Sequence, residues 1–547
     1  MNSQRLKRRH VLAGCGLLGV MAFAACDDYE RASDQAGWAS RNELDNVPLD
    51  TALALVDQAH GTVFMVDGHG GTPHAKHVEI GRAPVKFEKR NGHDQLLVLT
   101  QGVVGTKAIK GEPAALYVVP ATGAPATVIP LGSRYTNFTQ SPDGLKVILF
   151  FGGKSVVSGE VAFNPNELAI VDFVPPPPVP APSVTTRTLT GLATAPKGIE
   201  FSPQLALARQ RAIVLVRSEN FVTLLDLDPT QPDVTIPLTL PEEPKKLNVV
   251  QVVWDVVTPR LFLRVDSGSD IFSIRFAPLA ADSALQARSD FRAVLSQLAA
   301  GPTPADMALY DAGDGLRLLV AGGQKNVTVI DPASSRTVTV PIEHDVRWIS
   351  TWTPPLSATG AAPLPRALLA SSNEAKVTFV ELQKLESLKT KNLDVLLLSA
   401  PAKDFVPFPG PGVVVVQHPN NSITVIDLFG RAASPLNTTI GINKLRYRPF
   451  APETLWLITP RERLGFMSLL PGARAVTDVL LDEPVDDLMV TSAMLEPGGK
   501  AKLIVLHKDA SGSVTVLDAA APTRQGAKSM RGIVTTDLLE RTQRNVP

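Results

Sequence analysis

Three histidines crowd one short stretch of this chain. In Asp67-Gly68-His69-Gly70-Gly71-Thr72-Pro73-His74-Ala75-Lys76-His77, the residues His69, His74 and His77 stand close to the Asp67 carboxylate. Imidazoles are common metal ligands, and three in one loop could hold a zinc ion. The competing reading is a solvated hairpin loop of turn formers, with Lys76 between two of the ligands. No G-x-S-x-G elbow, Walker loop or dinucleotide fingerprint occurs, so the sequence signals no familiar nucleophile or nucleotide chemistry and implies no cofactor.

The elements that would position such groups follow from composition and pattern. Of 547 residues, 44 % are hydrophobic and 19 % charged, with 53 Lys and Arg against 53 Asp and Glu. That is the profile of a globular protein. The balanced charge leaves no polybasic footprint, which argues against nucleic acid as a partner. The length exceeds what one compact core usually holds, so two domains or a repeat architecture is expected.

Residues 1–25 read as an export signal. Arg5, Lys7, Arg8 and Arg9 form a positive start with no acid, and an apolar run from Val11 to Ala25 follows. That run is too short to span a bilayer comfortably as a helix. Phe23-Ala24-Ala25-Cys26 resembles the lipobox of bacterial lipoproteins. The resemblance implies cleavage before Cys26 and acylation of its thiol, giving attachment through more than one acyl chain. The other reading is an ordinary secretory signal cut near Ala25. Lys7-Arg8-Arg9-His10-Val11-Leu12 also resembles a twin-arginine export motif. Asp27 resembles an inner-membrane retention signal, but the choice between inner and outer membrane stays open. Cleavage removes four positive charges and no negative ones, leaving a net charge of −4. It also leaves Cys26 as the last cysteine, so no internal disulfide can form. Residues 26–50 are polar and aperiodic and read as a flexible tether.

From residue 51 one pattern recurs. Short runs alternating β-branched and apolar residues end near Asp67, Val119, Asp172, Asp226, Arg275, Asp331, Glu381, Asp427, Ser468 and Asp518, about 50 residues apart. Each period holds four strand-like runs punctuated by Gly and Pro. Ser141-Pro142-Asp143-Gly144, the reduced Ser202-Pro203 and runs such as Val327-Thr328-Val329-Ile330-Asp331 resemble the repeats of YVTN and WD-like β-propeller families. The resemblance covers about 51–540 and leaves 541–547 as a polar tail. It implies an all-β propeller of four-stranded blades, with seven to ten blades in one ring or two smaller propellers. Gly301-Pro302-Thr303-Pro304 is the candidate junction, preceded at Asp282–Ala300 by an inserted helix or a long outer strand. Quinoprotein propellers carry docking tryptophans in each blade, which five Trp in all do not supply.

Propellers place functional groups where their innermost strands emerge at the channel mouth. The resemblance therefore makes Lys197, Lys245, Asp306, Asp345, Asp404, Lys444 and Asp486 the channel-mouth candidates; the competing reading is turn residues and strand-edge charges. The first pass, from Thr51, lacks an innermost strand. Arg531 to Leu538 resembles one, and is expected to complete the first blade and close the ring. Val174 to Pro182 reads as a polyproline II insert able to dock a partner, or simply as a stiff loop. The chain is thus expected to be an envelope lipoprotein, on the periplasmic or surface side, that recognises a protein or ligand. The alternatives are a lactonase-like hydrolase and a metal- or polysaccharide-binding propeller.

Overall fold

The computed structural model describes residues 44–534, apart from 106–110, 153–163, 175–181, 190–194, 208–211, 229–230, 240–245, 279–290, 355–363, 388–392, 409–411, 439–440, 449–453, 471–473, 493, 495–498 and 510–511. The signal segment, Cys26, most of the tether, nearly all of the polyproline insert and the polar tail lie outside the described residues.

Forty strands form ten antiparallel sheets of four. Each sheet is a blade, and each blade is contiguous in sequence. The first strands of blades 1 to 10 are Asp45–Pro48, Pro84–Lys89, Asn137–Gln140, Gly198–Phe201, Val249–Asp255, Asp306–Asp311, Trp348–Trp352, Asp404–Phe408, Lys444–Arg448 and Val485–Val490. First strands lie against each other between blades 1 and 2, 2 and 3, 3 and 4, 5 and 6, 6 and 7, and 9 and 10, and that of blade 1 touches that of blade 10. First strands are therefore innermost. The ten runs counted from sequence are the third strands, one per blade.

Alternation explains why both faces of each sheet are apolar. Successive side chains of a strand point to opposite faces. In the second strand of blade 1, Ala52–Asp57, the residues Ala52, Ala54 and Val56 pack toward Leu96 and Val98 of blade 2. Leu53 and Leu55 point the other way, toward Ile504, Leu506 and Val516 of blade 10. Ten hydrophobic clusters form in this manner, one at each junction around the ring. The last joins blade 10 to blade 1, so the ring is single and closed. The candidate junction near Gly301 is an ordinary one: Phe262 and Leu298 of blade 5 pack with Met307 and Leu318 of blade 6. The stretch before it contains the long outer strand Phe291–Ala299 rather than a helix.

Closure differs from expectation. Asp45–Pro48, assigned from sequence to the tether, pairs with Ala52–Asp57 and is itself the innermost strand of blade 1. The C-terminal segment is not needed as a strand there. Ile533 and Val534 are instead buried against the blade 10–blade 1 cluster, so this segment seals the seam by burial. Residues 535–538 lie outside the described residues. The tether reading failed because Asp45-Asn46-Val47-Pro48 carries little apolar signal: none of the four is fully buried, and Val47 alone packs against the blade 1–blade 2 cluster.

The Ser-Pro-Asp-Gly motif is a locked turn. Ser141 Oγ accepts from Lys146 N at 2.9 Å, and Asp143 Oδ1 accepts from Leu145 N at 3.0 Å. Gly144 has φ 66°, and a Cβ there would sit 2.1 Å from Asn91 O of blade 2. Ser202 and Thr491 repeat the serine's role, accepting from Ile213 N and Lys502 N at 2.8 Å. Among the described residues no helix is long and apolar enough to cross a membrane.

Candidate functional site: the channel mouth

Asp45 pairs with Val56, and Thr62 with Asp57. First strands therefore begin, and second strands end, on one side of the ring, here called the upper face. Lys197, Asp306, Asp345, Asp404, Lys444 and Asp486 all lie at or beside the starts of first strands on this face. Lys245 lies outside the described residues. Of these candidates, Lys444 and Asp486 are in contact, Lys444 Nζ lying 3.5 Å from Asp486 Oδ1.

Most are spent holding neighbouring blades together. Asp306 Oδ1 accepts from Gln251 Nε2 of blade 5 at 2.6 Å and from its own neighbour, Met307 N, at 2.8 Å. Its Oδ2 accepts from Ile349 N of blade 7 at 2.8 Å. One carboxylate thus ties three blades. Gln251 is held in turn by Arg264 Nε at 2.9 Å. In blades 2 and 3, Lys86 Nζ donates to Asn137 Oδ1 at 2.7 Å and to Phe138 O at 2.6 Å. In blades 9 and 10, Arg446 makes a two-pronged bond to Asp487, at 2.7 and 2.6 Å. That bond raises the Arg446 pKa above the usual arginine value despite opposing desolvation. Lys444 Nζ reaches Asp486 O at 3.1 Å and Asp487 Oδ2 at 3.7 Å. The common unit is an Asp or Asn at the start of a first strand, taking its next backbone N–H and a donor from the preceding blade.

Asp404 is exposed and caps Phe405 N at 2.9 Å. Asp345 is half-buried, and its carbonyl accepts from His344 Nδ1 at 2.8 Å. Lys197 Nζ donates to Glu219 Oε2 at 3.1 Å and to Asn248 Oδ1. Sequence reasoning missed Lys86, Gln251, Arg446 and Asp487. A register shift between Val485 and Asp487 makes Asp487, not Asp486, the buried tie. The readable signal was the acid or amide followed by a large apolar residue: Asn137-Phe138, Asp306-Met307, Asp404-Phe405 and Asp487-Leu488.

The histidine stretch does not assemble. His74 and His77 sit three residues apart on the outermost strand His74–Glu79, hence on opposite faces of the sheet. His74 Nδ1 is 3.4 Å from Asp67, while His69 lies in a single short turn after the third strand. Among the described residues no group of three or more His, Cys, Asp or Glu is placed to share a metal ion. Three other histidines, His344, His418 and His507, are buried instead. The Nε2 atoms of His344, His418 and His507 face Thr378, Thr424 and Thr515 Oγ1, at 2.8, 2.8 and 2.6 Å.

Apolar side chains are exposed on both faces: Leu397 (69 %) and Leu480 (41 %) end outer strands on the upper one. Loops of the lower face expose Val257 (80 %), Phe429 (43 %), Leu470 (47 %) and Met494 (83 %). The last three belong to consecutive blades 8, 9 and 10.

No known family pattern matches this chain, and no curated protein matches it. Among solved structures it is similar to dihydro-heme d1 dehydrogenase NirN in complex with DHE, at 13 % identity and a TM-score of 0.37. That match covers 90 % of this chain and 76 % of the other. Two crystal structures of BBS1N in complex with ARL6DN also match at 13 % identity. The one soaked with mercury has a TM-score of 0.29 and covers 58 % of this chain and 91 % of the other. The one soaked with lead has a TM-score of 0.30 and covers 62 % and 92 %. Likeness at this level says nothing about activity.

Proposed function

We propose that this chain is a membrane-tethered envelope lipoprotein of the YVTN/WD-like propeller kind. In this reading it is anchored through Cys26 and serves as a recognition scaffold rather than a catalyst. The supporting observation is the use made of the channel-mouth charges: Asp306, Lys444, Arg446 and Asp487 are engaged between blades, where they stiffen the ring. A rigid ring with variable loops suits recognition. The chain joins the ring at Leu44, beside the upper face. A tether from Cys26 would leave from that side and turn the apolar loop tips of blades 8 to 10 toward an envelope protein partner. Exposed apolar side chains on neighbouring loops fit a protein-binding role.

The test is to label growing cells with an alkyne fatty acid and fractionate the wild type beside Cys26→Ala. Labelled wild-type protein in the membrane fraction, with unlabelled variant in the soluble fraction, is expected. An unlabelled soluble wild type would overturn the anchored reading.

A further inference from the structure

Each blade ends on an outer strand whose far edge has no strand partner among the described residues. Such edges invite pairing with another chain, and proteins blunt them by shortness, proline or charge. Nine of the ten are blunted in this way. None of the nine exceeds six residues, four contain a proline, and each of the other five carries a charged residue. Blade 5 differs. Its outer strand Phe291–Ala299 is nine residues long, with no proline, lysine or acid and a single charge, Arg292, near its start.

The backbone groups free at this edge follow from the register. Ala300 N donates to Ser269 O at 3.1 Å, directly opposite it. Opposed residues of antiparallel strands alternate between bonded and unbonded pairs. Arg292, Val294, Ser296 and Leu298 therefore bond inward to Asp270–Pro278. Ala293, Leu295, Gln297 and Ala299 turn their N–H and C=O outward. Val294 and Leu295 are only half-buried there. The hairpin also projects, because Ala277 and Pro278 run past the second strand, which starts at Arg260 opposite Arg275. Phe276 braces it, with its ring 4.9 Å from Phe291 and 6.4 Å from Trp254.

We propose that this edge pairs antiparallel with the same strand of a second copy, about a two-fold axis at its midpoint, Leu295. Full overlap in that register sets Ala293 opposite Gln297, Val294 opposite Ser296 and Arg292 opposite Leu298. Smaller side chains meet larger ones, and the lone charge never faces itself. An edge with one charge offers a foreign strand no charge pattern to read, whereas it fits its own copy without a like-charge contact. The two blades become one sheet of eight strands. A single strand pair is a small interface, so the association is of about micromolar strength. The two-fold turns one ring over against the other, and the inference does not depend on the anchor at Cys26.

The experiment is sedimentation equilibrium of the full mature chain carrying Cys26→Ala, from about 1 to 200 µM. A monomer–dimer equilibrium is expected, weakened about tenfold by Gln297→Pro. That N–H points outward, so proline leaves the blade's own ladder intact and removes one bond per copy from the pair. Unfolding of this variant at low concentration should match its parent. In the same background Leu295→Cys should join two chains through a short thiol-to-thiol cross-linker. Ala299→Cys should not, since that residue and its copy lie about 27 Å apart along the paired strands. A monomer throughout, association unchanged by Gln297→Pro, or equal linking at both positions would overturn the proposal.

Discussion

Replacing Asp306 by alanine should loosen three blades at once. The carboxylate accepts from Gln251 of blade 5, from Met307 N of its own blade and from Ile349 N of blade 7. Met307 and Ile349 are buried, at 3 % and 8 % exposure, so alanine strands two backbone donors away from water. Leaving a buried donor unpaired costs about 1–3 kcal/mol, which sets the loss at about 3 kcal/mol for this half-exposed acid. Asparagine should cost less. Its Oδ1 can keep the Gln251 and Met307 bonds, as Asn137 Oδ1 does for Lys86 and Phe138 N. Only the Ile349 bond is lost, about 1–2 kcal/mol. The assay is urea unfolding followed by tryptophan fluorescence, since Trp254 and Trp348 sit on the innermost strands of the flanking blades 5 and 7. The expected order of midpoints is wild type, then Asp306→Asn, then Asp306→Ala. An unchanged midpoint for Asp306→Ala, or asparagine as harmful as alanine, would refute the view that this mouth acid is a tie between blades.

Other consequences are as direct. Gly144→Ala should lower thermal stability by more than about 1 kcal/mol, because it strains a positive φ and drives a Cβ against Asn91 O; calorimetry of the variant reads it. Burial lowers the His507 pKa, so the unfolded chain takes its proton first as pH falls below about 6.5. Stability from this residue is therefore present above that pH and lost below it. Unfolding midpoints at pH 7.5 and 5.5 should converge in His507→Gln relative to wild type. Arg446→Ala should weaken the blade 9–blade 10 contact by only about 1–2 kcal/mol, since Arg446 is half-exposed and Lys444 remains near Asp487, whereas Asp487→Ala should cost more; denaturant titration of both variants checks the order.

Much of the architecture was legible because a propeller strand must be apolar at both parities. Runs such as Val327-Thr328-Val329-Ile330-Asp331 advertise this, and every run so marked is a third strand. First strands were harder to read. They line a channel, bury one edge and mix charge with apolar residues, so Asp45–Pro48 passed for tether and the closure was drawn wrongly. The described mouth candidates stand at or beside the starts of first strands. Their chemistry was not legible, since whether Asp306 or Asp487 meets a ligand or a neighbouring blade depends on contacts more than 40 residues away in sequence. One bulge was enough to exchange the roles of Asp486 and Asp487.

The central claim is a single closed ring, and the seam between blades 1 and 10 tests it. Ser492 N donates to Asp50 O at 2.7 Å across that seam. Both cysteines of the chain, Cys15 and Cys26, precede the ring, so thiols introduced within it are unambiguous. Asp50→Cys and Ser492→Cys in one chain, also carrying Cys26→Ala, would be treated with a short thiol-to-thiol cross-linker and digested. A closed ring gives a linked peptide pair joining residues 50 and 492 within one chain, in high yield. A chain that unfolds normally but yields no such pair would contradict the closed ring and restore two separate propellers.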